Sequence, residues 1–276
     1  MRFASIVHDG APHAVAVEGD RAIPLDGLAE LGPGTPASLL RDVALDRAAS
    51  IPLDEVRLRP VVPNPGKVIC VGLNYHAHVE ESRREVPSYP VLFTKWASTL
   101  TGPHDPIVCP PESAEVDYEG ELAVVIGERV RRVAPHEALA AVAGYAVAND
   151  VSMRDFQHKT HQWLQGKAWD RSTPIGPELV TPDEVGDPSA LTLRTTVNGE
   201  TVQEASTALL IFDVPTLISV VSEFTTLEPG DVILTGTPGG VGIRREPPLL
   251  LGDGDVVAVE VEGVGRIENR VTEEQP

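Results

Sequence analysis

Cysteine is nearly missing from this chain: its 276 residues include two, Cys70 and Cys109, and neither has a CxxC partner. A chain of this size with so few is not a disulfide scaffold. Cys70 lies in the apolar run Val68-Ile69-Cys70-Val71 and reads as a buried reduced thiol. Aromatic residues are scarce, at 4%. Basic residues are outnumbered, 22 against 41 acidic ones, for a formal net charge of −19. That balance excludes the basic face a nucleic-acid partner needs and is most simply a solubility charge. Apolar runs of about 18 residues, the length a membrane span requires, are absent. Arg2 and Asp9 interrupt the start where a signal segment would lie, so the expected compartment is the cytosol. Turn formers, in contrast, are abundant: 24 glycines and 25 prolines argue against a bundle of long helices.

The length suits one large domain, or a large one with a small one. Residues 1–62 read as a small β-rich N-terminal domain. Phe3–Val7 and His13–Val17 bracket the turn signal Asp9-Gly10-Ala11-Pro12, Arg21–Pro24 adds a third strand, and Ala37–Ala49 is a short amphipathic helix. The Pro-rich stretch Pro60 to Gly66 marks the boundary, and residues 63–276 form the main domain. There the pattern is one of short strands: Val68–Gly72, Val116–Ile126, Gly144–Ala148, Leu191–Val197, Thr201–Gln203, Val232–Thr235 and Val256–Glu262. Asn198-Gly199 is a strong hairpin turn. Helices are expected over Asn74–Arg84, Ser152–Gln165 and Asp213–Thr225, the last with Asp213 as N-cap and Pro215 in the first turn. The C-terminal Glu273-Glu274-Gln275-Pro276 is expected to fray. The fold class is mixed, mainly β with few helices (α+β).

Chemistry concentrates in Val116–Ile126. Strand alternation points Glu119 and Glu121 to one side, about 7 Å apart along the backbone. Beyond them Ala123 and Val125 continue that face, and Val116, Tyr118, Leu122, Val124 and Ile126 make up the other, as in a strand covered on both sides. Two covered like charges repel and lose hydration, and a bound cation would keep both ionised. Oxygen donors favour Mg²⁺, Mn²⁺ or Ca²⁺. An edge strand whose glutamates face water fits the same letters. Asp150 ends the apolar stretch Gly144 to Asn149 and could complete a three-carboxylate set, although Asp at a strand end also serves as turn former or N-cap. His78 and Glu81 share a helix face at i,i+3, the arrangement of an oriented base or of an incidental solvated pair. Lys95 and Lys167 sit among aromatics, either snorkelling or holding a carboxylate or oxyanion. The loop Thr235 to Gly242 brings backbone N–H groups close together but lacks the Lys-Ser/Thr of a nucleotide-binding loop.

Together these segments resemble the fumarylacetoacetate hydrolase superfamily. The likeness runs over roughly residues 66–270 through Val71-Gly72-Leu73-Asn74-Tyr75…His78…Glu81, Phe93-Thr94-Lys95, Asp117 to Leu122, Asn149 to Asp155 with Gln157, Gly166-Lys167, and Thr235 to Gly242. The resemblance implies a rolled β-sheet core behind a small N-terminal domain, a homodimer, and Mg²⁺ or Mn²⁺ on Glu119, Glu121 and Asp150. It implies a water-activating dyad of His78 and Glu81 in a lid segment, with Lys167 at a substrate oxygen. Gln157, Thr237, Gly236 and, less closely, Lys95 would line the substrate site. Met153, Trp96 and Trp169 stand where relatives commonly carry Ala, Pro and Phe, which alters pocket walls and leaves the substrate open. The expected reaction is hydrolysis of a carbon–carbon bond in a small 2,4-dioxo acid of the acylpyruvate or fumarylpyruvate type. Water activated by the dyad would attack the distal carbonyl, with Lys167 and Gln157 at the oxyanion. The alternatives are a decarboxylase of oxaloacetate-like acids and an isomerase of 2-hydroxy-dienedioates from aromatic catabolism. A non-catalytic binder has no use for the dyad, and a cupin-type oxygenase would want a His-rich site.

Overall fold

A computed structural model describes residues 1–274. Twelve strands form one mixed sheet. Along its main path the order is Ile51–Pro52, Arg21–Pro24, Ala11–Glu18, Arg2–His8, Thr173–Val180, Val142–Asn149, Gly120–Ile126, Val232–Leu234, Val68–Gly72 and Val91–Lys95. On this path only Val232–Leu234 and Val68–Gly72 run parallel. A second sheet of five strands follows the order Glu200–Ser206, Thr192–Val197, Val256–Val261, Gly265–Glu273 and Ile107–Cys109.

The central strand Gly120–Ile126 is buried throughout, and its alternation divides two cores. Ala123 and Val125 pack on one side with Phe3, Ala146 and Ile175. Leu122, Val124 and Ile126 pack on the other with Val259 and Ile267 of the second sheet and with Leu217, Ile218 and Val221. Those last three lie on the helix Val214–Phe224, the longest in the molecule, whose N-cap Asp213 accepts the Thr216 N–H at 2.9 Å and whose first turn holds Pro215. The mostly-strand architecture with few helices is the expected mixed, mainly β class. The Asn198-Gly199 turn joins Thr192–Val197 to Glu200–Ser206 with both φ angles positive, as a type I′ hairpin requires.

Several local expectations need correction. The acidic segment is not one strand: Val116–Asp117 pairs with Ser152–Met153, Gly120–Ile126 belongs to the large sheet, and Tyr118 and Glu119 lie between. Asp117 causes the break. Its carboxylate accepts the N–H groups of Tyr118, Gly242 and Ile243 at 2.8, 2.8 and 3.0 Å, tying the chain to a distant loop. Tyr118 accordingly packs with Val116, Met153 and Leu251, away from Leu122. The helix expected over Ser152–Gln165 is instead the two-residue strand Ser152–Met153 followed by two short helices, Arg154–Gln157 and Leu164–Lys167. The residues between, 158–162, are exposed and bury no face that would sustain a helix. The helix expected from Asn74 spans only His76–Glu81, and that from Ala37 only Ala37–Asp42.

The strands of residues 1–62 extend the main sheet. Arg2 and Phe3 pair with Val180 and Leu179, and Phe3, Ala14, Ala16 and Ile23 share a core with residues of the larger part. Glu273 closes a strand and the Glu274 N–H donates to the Cys109 carbonyl at 2.9 Å, so that end of the chain is tied down. Gln275 and Pro276, also expected to fray, lie outside the described residues.

Candidate active site

Register brings the acids together. Gly120 stands opposite Asn149 and Glu121 opposite Ala148, so Glu119 and Asp150 fall at the same end of adjacent strands. Two further bonds lock that end: the Asp150 N–H donates to the Glu119 carbonyl at 2.8 Å, and the Glu119 N–H donates to Asn149 Oδ1 at 2.9 Å. One carboxylate oxygen each from Glu119, Glu121 and Asp150 then lies within 4.8 Å of the others, all buried.

Three cations surround this cluster. Lys167 Nζ donates to Glu119 Oε2 at 2.6 Å and to Asp150 Oδ2 at 2.7 Å. Lys95 Nζ donates to Asp150 Oδ1 at 2.6 Å and to the Val151 carbonyl at 3.1 Å. Arg154 pairs with Glu119 at 2.6 Å and, through Nε, with Asp117 at 2.9 Å. Burial disfavours charge on Glu119, but Lys167 and Arg154 outweigh it and hold the carboxyl far below the usual range. Burial likewise opposes the Lys167 ammonium, and Asp150 and Glu119 overcome it, so its proton is held more tightly than usual.

Glu121 differs. Its only bonded partner among the described residues is the Gly236 N–H, at 2.7 Å to Oε2. Burial, then Asp150 and Glu119, push its carboxyl well above the ordinary value. The site therefore holds one buried carboxylate with no countercharge beside two that are paired. An all-oxygen donor set short of positive charge fits a hard divalent cation, and Glu119, Glu121 and Asp150 are the residues that would hold it.

The loop after strand Val232–Leu234 closes over the cluster. Gly236 has a φ of +100°, and a Cβ there would meet Asn74 Cβ at 2.8 Å and the Val71 carbonyl at 2.9 Å, so only glycine brings its N–H to Glu121. Farther along, the Gly240 N–H donates to Glu81 Oε2 at 2.7 Å, and Glu81 Oε1 takes His78 Nδ1 at 2.7 Å. The dyad is thus braced at its carboxylate, and His78 Nε2 has no partner among the described residues.

His78, Glu119, Gln157, Lys167 and Thr237 all line one cleft. Lys95 and Gly236, expected to line the substrate site, are not among the residues that line this cleft: the Lys95 ammonium donates to Asp150 and the Gly236 N–H to Glu121. Residues not singled out in advance also shape the cleft. Arg154, 4% exposed, lines it with a buried Nη2 that has no partner, and its Nη1 donates to Gln157 Oε1 at 2.9 Å. Gln203 fixes Thr237 by a bond of 2.8 Å to its hydroxyl. Trp163, edge-on to Phe93 at 5.6 Å, forms a wall against Gly72. A charged residue between Met153 and Phe156 was the available signal for Arg154. Nothing local marked Gln203.

An oriented acid–base pair facing a buried carboxylate–ammonium cluster across one cleft is the layout of an enzyme. The chain belongs to the fumarylacetoacetate hydrolase family, since the family described as fumarylacetoacetate (FAA) hydrolase C-terminal matches residues 67–272. It is 48% identical over 236 residues to the mitochondrial oxaloacetate tautomerase FAHD2A of Bos taurus, covering 85% of this chain and 75% of that one. Among solved structures it resembles 5-carboxymethyl-2-hydroxymuconate delta-isomerase from Mycobacterium smegmatis, with a TM-score of 0.85 and 37% identity over 99% of this chain and all of that one (100%). The fumarylacetoacetate hydrolase of Exiguobacterium antarcticum gives a TM-score of 0.87 and 38% identity, again over 99% and 100%. Among the described residues no helix is long and apolar enough to cross a membrane.

Proposed function

We propose that this enzyme moves a proton between carbon and oxygen in an enolisable 2-oxo dicarboxylic acid of the oxaloacetate type, as a keto–enol tautomerase. One observation carries the reading: His78, braced through Glu81 by the Gly240 N–H and with no partner for its Nε2 among the described residues, lines the cleft that Glu119 and Lys167 also line. Neutral imidazole takes a proton from the carbon next to the carbonyl, Glu81 offsets the charge that forms, and the same ring returns the proton to oxygen. Glu119, Glu121 and Asp150 would hold a hard divalent cation, Mg²⁺ or Mn²⁺, which would supply positive charge for the developing enolate. Lys167 holds two of those carboxylates and keeps one ammonium proton free for a substrate oxygen. The names of the cattle relative and of the mycobacterial isomerase support proton transfer over bond cleavage.

Carbon–carbon hydrolysis of an acylpyruvate is the second reading. It draws on Gln157, whose Oε1 is taken by Arg154 while its amide NH₂ has no partner among the described residues and could face an oxyanion. A homodimer and a cytosolic location complete the proposal, to be checked by light scattering and by cell fractionation. To test the reaction, Mg²⁺-loaded protein is given enol oxaloacetate and the decay of enol absorbance is followed, with an acylpyruvate cleavage assay run in parallel. Acceleration of the decay is expected. Cleavage of acylpyruvate without any acceleration would transfer the function to the hydrolytic reading.

A further inference from the structure

Two arginines at the cleft are used by nothing described so far. Arg84 and Arg244 both line it, both are exposed, and neither guanidinium makes an ion pair or side-chain hydrogen bond among the described residues. An exposed arginine is ordinarily just a solvated charge. These two differ in how firmly their backbones are placed. Arg84 follows the helix His76–Glu81 that carries the dyad. Arg83 takes a φ of +52°, its N–H donates to the Glu80 carbonyl at 2.9 Å, and the Arg84 N–H donates to the Val79 carbonyl at 3.1 Å. That is a Schellman closure, which sets where Arg84 leaves the chain. Arg244 ends the helical turn Gly242–Arg244, and the first two N–H groups of that turn are held by Asp117, the same carboxylate that holds Arg154.

The two also meet. His158 lies on the same cleft, and after burial, the charges of Arg154, Arg244 and Arg84 together hold its imidazole below the ordinary value. Arg84, Arg154 and Arg244 thus line one cleft together, in a molecule whose net charge of −19 would otherwise repel an anion.

We infer that Arg84 and Arg244 form the seat for the remote carboxylate of a dicarboxylic substrate, the one farther from the Glu119–Glu121–Asp150 cluster. This inference rests on the proposed proton-transfer reading and narrows it, because an acylpyruvate with a neutral tail has no group for that seat. Guanidinium forks suit a carboxylate, and a pair of them would separate diacids from mono-acids by charge.

The test uses full-length protein loaded with Mg²⁺, wild type and the R84A/R244A double variant. Calorimetry measures binding of malate, which has a remote carboxylate and cannot enolise, and of oxalate, which has no remote arm. Kinetics compare oxaloacetate with its 4-methyl ester. For charge-assisted bonds at a solvent-open rim the variant is expected to weaken malate and to raise KM for oxaloacetate by about tenfold. Oxalate affinity, kinetics with the ester, and kcat for oxaloacetate should each stay within about twofold, and added salt should shrink the malate effect. Equal losses for malate and oxalate, no loss for either, or no malate binding by the wild type would overturn the seat. If the wild type does not turn over oxaloacetate but the variant still loses malate selectively, the reaction reading fails and the seat stands. If turnover is present and the variant matches the wild type, the seat fails and the reading stands.

Discussion

The floor and the rim of the cleft are built on opposite rules. On the floor, Glu119, Asp150, Lys95, Lys167 and Arg154 are buried and bound to one another by charged contacts of 2.6 to 2.7 Å. At the rim, Arg84, Arg244 and His158 are exposed, and the two arginines have no acidic partner among the described residues. A substitution on the floor leaves a buried charge uncompensated and is paid in stability as well as activity. A substitution at the rim changes only what the cleft meets. On the proposed reading, reaction type and substrate choice are thereby separated in space.

The first way to break this comparison is the dyad, which lies between the two. His78→Ala should lower keto–enol turnover by about 10²–10⁴-fold, the weight of a positioned acid–base group. Its melting temperature should stay near wild type, because the His78 side chain bonds only Glu81 among the described residues. A variant that turns over like wild type would move the proton chemistry to the floor. Second, the floor carboxylates should differ among themselves. The sequence shows Glu119 and Glu121 as like charges that repel under cover, which would let either be removed from metal-free protein at little cost. The structure restricts that to Glu121. Glu119→Ala strips partners from Lys167 and Arg154 and should cost about 3–5 kcal/mol in metal-free protein by denaturant titration. Glu121→Gln removes the one carboxylate without a countercharge and should leave metal-free stability equal or higher, while abolishing the response of melting temperature to Mg²⁺. Equal behaviour of the two variants would show that the ion pairs do not set the difference.

The third test is pH. The folded protein holds the Glu121 proton to higher pH than the unfolded chain does. That contribution to stability is complete below the unfolded carboxyl value and fades as pH rises toward the folded one. Metal-free protein should therefore lose melting temperature from about pH 5 upward, and Glu121→Gln should flatten the slope. The smallest effect concerns Cys109, whose thiol burial pushes up to about 11, with nearby Asp253, Asp255 and Glu273 adding to it. It should resist iodoacetamide at pH 8 in folded protein, where a free exposed thiol reacts; rapid labelling would show that its strand opens.

Much of this was legible before the structure. Alternation in Gly120–Ile126, the Asn198-Gly199 turn and the capped helix at Asp213 are local signals, and local physics decides them. So is the pairing of His78 with Glu81 across one helical turn. What stayed hidden depends on distant partners. Asp117 reads as a strand residue until Gly242, Ile243 and Arg154 arrive to share its carboxylate. Lys95 reads as a pocket residue until Asp150, 55 positions away, takes its ammonium. The strand Thr173–Val180 contains Pro174, Gly176 and Pro177, which disguise it, although it joins the N-terminal strands to the catalytic sheet.

That strand has a consequence for anyone dividing the molecule. Cutting after residue 62 would strip Arg2 and Phe3 from Val180 and Leu179, take the Val61 N–H from the Ile175 carbonyl, and leave those positions of Thr173–Val180 as an unpaired edge. The same cut would bare the apolar side chains of Ile175 and Leu179, now covered by the N-terminal strands. A naked edge beside a greasy face is a template for runaway association between copies, so the isolated larger piece should precipitate where the intact chain stays dispersed. The first 62 residues would then act as a built-in guard against aggregation, whatever else they do.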